Sequence, residues 1–117
     1  MKQETGAQRV LIVEDNFLIA MDLSAELEER GFETVGPSAT VEEALGLLER
    51  EGCDKAVLDL NLGEETSEAI AVTLKARDIP FVVVSGYADH QQPEIFREAP
   101  SLTKPVPIEA LVGLLEA

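Results

Sequence analysis

The sequence predicts an α/β domain in which five parallel strands form one doubly wound sheet with helices on both faces. Short runs of β-type apolar residues alternate along the chain with segments of helical periodicity. The runs are apolar at successive positions, which is typical of strands buried on both faces of a parallel sheet. The chain has 117 residues, a length that suits one domain with a substantial core.

Five apolar runs mark the strands in order. Connections between parallel strands are right-handed and short, and the order expected for such a chain is the flavodoxin-like 2-1-3-4-5. The fifth run is the weakest because it has only two residues. The runs are VLIV (10–13), TVG (34–36), AVL (56–58), FVVV (81–84) and SL (101–102).

Apolar residues at helical spacing mark the segments between the runs. Gly31 is expected to end the first helix, and Thr40 with Glu43 forms a capping box at the start of the second. Pro107 suits the first position of the last helix, whereas Pro93 interrupts the segment 88–99. The spaced residues are Ile19, Leu23 and Leu27; Val41, Ala44, Leu45 and Leu48; Ile70 and Leu74; Ile108, Leu111, Val112 and Leu115.

Composition excludes several functions. The net charge is -14, with 9 Lys and Arg against 23 Asp and Glu, so the chain lacks the basic footprint that nucleic acids require. Its apolar runs are too short to cross a membrane, and its first residues are no secretion signal. One cysteine, Cys53, and one histidine, His90, cannot build an intrachain disulfide or a Cys/His zinc site. We expect a cytoplasmic protein with a flexible tail (1–8) and one domain (9–117).

Polar residues follow four of the apolar runs, where the strands are expected to end. Ligands of open α/β sheets bind beyond the carboxyl ends of the strands. The first, third and fourth runs are expected to be neighbours at the centre of the sheet, so their polar residues converge on one rim. These residues are Glu14 and Asp15, Asp59 and Asn61, Ser85, and Lys104 after the fifth run.

The chemistry of this set points to phosphoryl transfer. Three close carboxylates repel one another unless cations are present, and Mg²⁺ prefers such oxygen ligands. The metal and Lys104 leave room for a phosphoryl group, to which Ser85 can donate a hydrogen bond. Asp59 is then the candidate nucleophile that forms an aspartyl phosphate.

Each motif taken alone has a simpler interpretation. Glu14 and Asp15 suit the start of a helix, and Asp59 suits a turn. Ser85 before a glycine is common in loops, and a lysine before a proline is uninformative. Their joint order, each directly after a predicted strand, favours the functional interpretation. Cys53 and His90 are interpreted as structural or surface residues.

The four motifs VLIVEDN, VLDLNLG, VVVSGY and LTKP together resemble the receiver domain of bacterial two-component response regulators, from about Arg9 to Leu115. The resemblance implies that Asp59 accepts a phosphoryl group from a histidine kinase or a histidine phosphotransferase. It implies that Asp15 binds Mg²⁺ directly, Glu14 through water, and Asn61 through its main-chain carbonyl. Ser85 would move toward the phosphoryl group, Lys104 would pair with it, and the Lys104-Pro105 bond would be cis.

The chain departs from many receivers at the aromatic switch position, where it has Ser101. An aromatic residue, Tyr87, instead lies two positions after Ser85. The stretch PFVVVSGYAD is similar to the stand-alone subgroup called FAT GUY receivers. It keeps Pro80, Phe81, Gly86 and Tyr87 of that motif, but has Val83, Val84 and Ser85 at the other positions.

The leading hypothesis is a stand-alone phosphorylatable switch, monomeric or weakly dimeric, that signals to a downstream protein target and is an enzyme only toward itself. A receiver cut from a longer regulator or a hybrid kinase is the alternative. A dehalogenase-like phosphatase needs an acid two residues after Asp59, where the chain has Asn61. A serine hydrolase needs glycine at position 83, where the chain has valine. A nucleotide-binding fold needs a glycine-rich loop after the first strand, and the segment EDNFLI that follows it has no glycine.

Overall fold

A five-stranded parallel sheet forms the centre of the domain in the computed structural model, which describes residues 7–86 and 94–116. The strands are β1 (Arg9–Val13), β2 (Glu33–Ser38), β3 (Lys55–Asp59), β4 (Asn61–Leu62), β5 (Glu65–Thr66), β6 (Phe81–Ser85) and β7 (Ser101–Thr103). The sheet order is β2-β1-β3-β6-β7, and β4 pairs with β5 in a separate antiparallel hairpin. Counted within the sheet alone, the order is 2-1-3-4-5, so the predicted topology is confirmed.

Helices cover both faces of the sheet, as the apolar strands require. The helices are α1 (Phe17–Glu29), α2 (Val41–Arg50), α3 (Glu68–Ala76), α4 (Glu94–Arg97) and α5 (Ile108–Glu116). Successive residues of β1 belong to opposite cores: Val10 and Ile12 pack with α1 and α5, whereas Leu11 and Val13 pack with α2, α3 and α4. This alternation explains why the strands are apolar at every position.

The helix ends follow the capping signals in the sequence, with small differences. Gly31 has φ +95° and ends α1 in a Schellman arrangement, in which its amide donates to the carbonyl of Glu28. The Thr40 hydroxyl accepts from the Glu43 amide, but the Glu43 carboxylate accepts from the amide of Ala39. The box therefore closes one residue earlier than predicted. Helix α5 begins at Ile108, after Pro107.

A buried arginine joins several elements at the edge of the sheet opposite the predicted site. The Arg9 guanidinium donates to the main-chain carbonyls of Glu51 and Gly52, where α2 ends. It also pairs with the carboxylates of Glu33 and Glu51. These bonds hold the start of β1 against β2 and α2, and so set the register that carries the other end of β1 to the site.

The hairpin after β3 is an element that the sequence did not predict. Its strands are two residues long, and Leu62 is its buried anchor. Gly63 lies in the two-residue turn with φ +63°, a conformation that favours glycine. Because β3 ends at Asp59, the hairpin stands beside the predicted site.

The structure describes the regions on both sides of 87–93, and Tyr87 and His90 lie outside the described residues. Within residues 7–86 and 94–116, no helix has both the length and the apolar character needed to cross a membrane.

Candidate functional site

Three carboxylates meet at the carboxyl edge of the sheet. Glu14 and Asp15 follow β1, and Asp59 ends the adjacent strand β3. One oxygen of each lies within 4.8 Å of the others. Glu14 and Asp59 are only 5% and 7% exposed, whereas Asp15 is exposed. The two buried carboxylates therefore need a positive partner.

Lys104 supplies that partner. Its Nζ lies 3.0 Å from Glu14 Oε1 and 3.0 Å from Asp59 Oδ2, so one ammonium bridges both carboxylates. The Lys104 amide also donates to the carbonyl of Ser85 at 2.8 Å, which holds the lysine backbone next to β6. The Lys104-Pro105 peptide is cis, as the resemblance implied.

The pKa values of the bridged groups reflect their surroundings. Burial raises the pKa of the Glu14 carboxyl, and the nearby Asp59 charge adds to the rise, although hydrogen bonds from the Asn16 amide and Lys104 oppose it. Burial lowers the pKa of Lys104, but its bonds to Glu14 and Asp59 outweigh that effect and raise it. The lysine therefore stays charged. Its single positive charge offsets only part of the repulsion among the three carboxylates.

Asp15 is held differently from the two buried carboxylates. Its Oδ2 accepts a hydrogen bond of 2.8 Å from the amide of Gly63, in the turn of the β4-β5 hairpin. The next residue, Asn16, caps α1 by accepting from the Ile19 amide. Asp15 is thus fixed between the start of α1 and the hairpin.

Asn61 and Ser85 complete the predicted set. The Asn61 amide donates to Asp59 Oδ1 at 3.4 Å, while its side chain is exposed. Ser85 is buried at the end of β6, the strand that flanks β3 on the side away from β1. All six predicted site residues therefore lie at one rim, as the topology required. Their functional roles stay predictions.

The Gly63 amide is a member of the site that was not predicted from the sequence. A main-chain donor has no side-chain signature, and the only signal was the Gly-Glu pair between two short polar-flanked segments. Such pairs occur in two-residue turns, but strands of two residues are too short to show a pattern.

Cys53 lies away from this rim, because it precedes β3 and the site follows it. It is partly buried, and burial raises the pKa of its thiol to about 11. The thiol is therefore protonated near neutral pH and is a weak nucleophile. This agrees with its interpretation as a structural residue.

The cluster fits a hard divalent cation. Its donors are all oxygens, and they come from three carboxylates within one small space. Lys104 neutralises one charge of the three, so the cluster keeps a net negative charge that a divalent ion would balance.

A family match identifies the domain to which this rim belongs. The model of the response regulator receiver domain matches residues 10–116. The chain belongs to this family. It is a receiver domain of two-component signalling, and receiver domains are signalling modules.

Individual relatives of this receiver domain cover it to different extents. PdtaR of Mycobacterium tuberculosis, a transcriptional regulatory protein, is 33% identical over 113 residues, which are 93% of this chain and 55% of that protein. The chain thus spans about half the length of this curated relative. A solution structure of SdrG from Sphingomonas melonis is 42% identical with a TM-score of 0.81 and covers 94% of each chain.

A third relative is a response regulator with a solved crystal structure. A response regulator from Burkholderia pseudomallei is 26% identical, with a TM-score of 0.83, over 92% of this chain and 66% of that one. Its crystal structure contains a phosphorylated aspartic acid and a calcium ion. In that protein, a phosphoryl group on aspartate and a divalent ion occur together.

Proposed function

We propose that Asp59 is the phosphoacceptor of this receiver domain and that Glu14, Asp15 and Asp59 hold Mg²⁺ beside it. The observation that carries the proposal is the position of Asp59 at the end of the central strand. The acid pair after β1 flanks it on one side, and Ser85 at the end of β6 flanks it on the other. Lys104 contacts it directly.

The reaction is an exchange of one phosphorus bond for another. An Asp59 carboxylate oxygen attacks the phosphorus of a phosphohistidine, the P–N bond breaks, and the histidine leaves with the electron pair of that bond. Later attack by water on the phosphorus releases inorganic phosphate and restores the carboxylate. The domain catalyses both steps only on itself.

Two side chains and a bound cation would prepare Asp59 for this reaction. Lys104 keeps its ammonium against the carboxylate and would pair with the phosphoryl oxygens. Ser85 is placed to donate a hydrogen bond to the same group. When bound by the three carboxylates and the main-chain carbonyl of Asn61, Mg²⁺ supplies charge that offsets the phosphoryl oxygens.

The donor in this proposal is a protein, a histidine kinase or a histidine phosphotransferase. Apolar side chains at the start of α1 support it: Phe17 and Leu18 are 71% and 76% exposed, and Met21 is also exposed. They directly follow Asp15 and Asn16 at the rim, so a protein that brings a phosphoryl group to Asp59 would cover them. Burial of exposed aromatic and aliphatic side chains is a usual source of binding energy between proteins.

The output is contact with a downstream protein target, in the cytoplasm where the donor kinases are phosphorylated. The match to SdrG over nearly the full length of both chains supports a stand-alone role. The greater length of PdtaR supports a receiver within a longer regulator. The length of the native protein, measured by immunoblot of the cells that make it, distinguishes these two alternatives.

Phosphorylation of Asp59→Asn tests the proposal. We expect the natural chain to gain one acid-stable, base-labile phosphoryl group from acetyl phosphate or a kinase in Mg²⁺, and to gain none in a chelator. Asp59→Asn should gain none, because an amide is a poor nucleophile. The matched control is Asp78→Asn, an exposed aspartate beyond α3, which should behave like the natural chain. A label that persists in Asp59→Asn would refute the assignment.

A further inference from the structure

The β4-β5 hairpin contacts two separate parts of the chain besides its own base. At its turn, the Gly63 amide donates to Asp15 Oδ2 at 2.8 Å. At its second strand, Glu65 Oε1 accepts from the amide of Val41 at 3.2 Å, in the first turn of α2. The hairpin therefore bridges the acidic rim and the start of a helix on one face of the sheet.

The base of the hairpin is anchored in the core. Leu62 is buried, and the Ser67 amide and hydroxyl both donate to the carbonyl of Leu60. The Leu60 amide in turn donates to the carbonyl of Val84 in β6. These bonds fix where the hairpin leaves the sheet, but they do not fix the direction of its tip.

The direction of the tip depends on Glu65 and on Gly63. The amides in the first turn of a helix have no partner within the helix, and an acidic side chain can accept a hydrogen bond from one of them. Its negative charge also interacts favourably with the positive end of the helix dipole. Glu65 does this for α2 from outside the helix. Gly63 at φ +63° turns its own amide toward Asp15, and a side chain on it would have room, since the nearest atom to an added Cβ is Asp15 Oδ2 at 4.0 Å.

We propose that the hairpin Asn61–Thr66 is the positioning element of the cation site: the Gly63 amide orients Asp15, and Glu65 holds the hairpin against α2 so that this amide stays in place. The inference rests on the proposed function, because it concerns the same carboxylate. Asp15 is the exposed member of the cluster, so it is the carboxylate that most needs such support. Outer partners that orient a metal ligand raise metal affinity, by about 10–100-fold for a direct partner.

Two neighbouring acids allow a matched test of Glu65. Glu65→Ala and Glu64→Ala remove the same charge from the hairpin, but within the described residues a hydrogen bond to α2 is seen for Glu65 and not for Glu64. We expect Mg²⁺ to bind Glu65→Ala about threefold to tenfold more weakly than Glu64→Ala in an NMR titration, less than the loss of a direct partner. Glu65→Gln keeps an oxygen acceptor for Val41 and should match Glu64→Ala.

A readout without metal tests the same link. In the metal-free protein, the Gly63 amide should exchange its hydrogen faster in Glu65→Ala than in Glu64→Ala, while the midpoints of thermal unfolding stay close. A second pair of variants acts on the amide itself. Gly63→Asn tolerates positive φ and should keep Mg²⁺ affinity near that of the natural chain, whereas Gly63→Val does not tolerate it and should weaken binding.

The outcomes separate the two proposals. A natural chain that shows no Mg²⁺-dependent shift overturns the cation site and the role of the hairpin in it. A natural chain that binds Mg²⁺, with equal affinities in Glu65→Ala and Glu64→Ala or equal Gly63 exchange in both, overturns the hairpin proposal alone. Tighter binding in Glu65→Ala would also overturn it.

Discussion

At the scale of single residues, the site is a balance between two buried carboxylates and one lysine. Glu14 and Asp59 are almost inaccessible to water, and Lys104 contacts both at 3.0 Å. One positive charge cannot neutralise two buried negative charges and an adjacent third. The metal-free protein therefore keeps some electrostatic strain at the rim, and substitutions there should change stability in opposite directions.

Glu14→Gln should stabilise the metal-free protein at neutral pH. Burial raises the pKa of Glu14, so folding penalises the charged form relative to the unfolded chain. The favourable contribution of the neutral form is complete below the ordinary pKa of about 4.3 and is lost as pH rises through the raised value. Urea unfolding in a chelator should show the variant more stable at pH 7, with the difference shrinking toward pH 4. A variant less stable at pH 7 would contradict this.

Lys104→Ala should destabilise the metal-free protein by about 2 kcal/mol at pH 7. The substitution leaves two buried carboxylates without their positive partner. Removing one partner of a fully buried pair costs roughly 3–5 kcal/mol, and the loss should be smaller here because Lys104 is partly exposed. The control is Lys75→Ala, whose pair with Glu98 is exposed on both sides and should contribute about 0.5 kcal/mol or less. Equal losses in urea unfolding would show that the bridge does not stabilise the fold.

At the scale of elements, α1 connects the site to the outside. Asn16 caps the helix directly after the acid pair, and the first turn then exposes Phe17 and Leu18. On the opposite side of the same helix, Leu23 and Leu27 are buried in the core. The helix thus has one apolar face that packs in the core and a second apolar surface that no other part of the described chain covers.

Truncating the exposed face of α1 should slow transfer from a protein donor only. We expect Phe17→Ala with Leu18→Ala to lower kcat/KM for a cognate histidine kinase about tenfold, which corresponds to ~1.4 kcal/mol of lost contact. Acetyl phosphate needs no such surface, so its rate should stay unchanged.

The control for this substitution is Val72→Ala. Val72 is an exposed apolar residue on α3 and does not directly follow a residue of the rim. Its truncation should leave the transfer rates from both donors unchanged. An equal loss with acetyl phosphate and the kinase would show that α1 supports the site itself and does not recognise the donor.

Local signals explain why most elements could be predicted. A strand buried on both faces needs consecutive apolar residues, and a helix start needs a free side-chain acceptor such as that of Thr40. The hairpin could not be predicted in this way, because its short strands bury only Leu62. The partner of the Glu43 carboxylate was also missed by one residue, since the exact path of the chain before α2 depends on β2.

At the scale of the whole molecule, topology brings the site together. Residues 14, 59, 85 and 104 are far apart in sequence, and they meet because parallel strands end at the same edge. This convergence could be predicted from the order of motifs alone. The bridging position of Lys104 and the amide of Gly63 could not, because each depends on distances of a few ångströms that only the packed structure sets.

The central claim is that the phosphoryl group resides on Asp59, and its chemical location tests this most directly. Borohydride reduces an acyl phosphate to an alcohol, so a phosphorylated aspartate becomes homoserine, which peptide mass spectrometry locates. After phosphorylation in Mg²⁺, we expect homoserine at position 59 and no reduction at any other acid of the rim. Reduction at Glu14 or Asp15 would contradict the claim. So would a phosphorylated protein in which residue 59 is still aspartate after borohydride treatment.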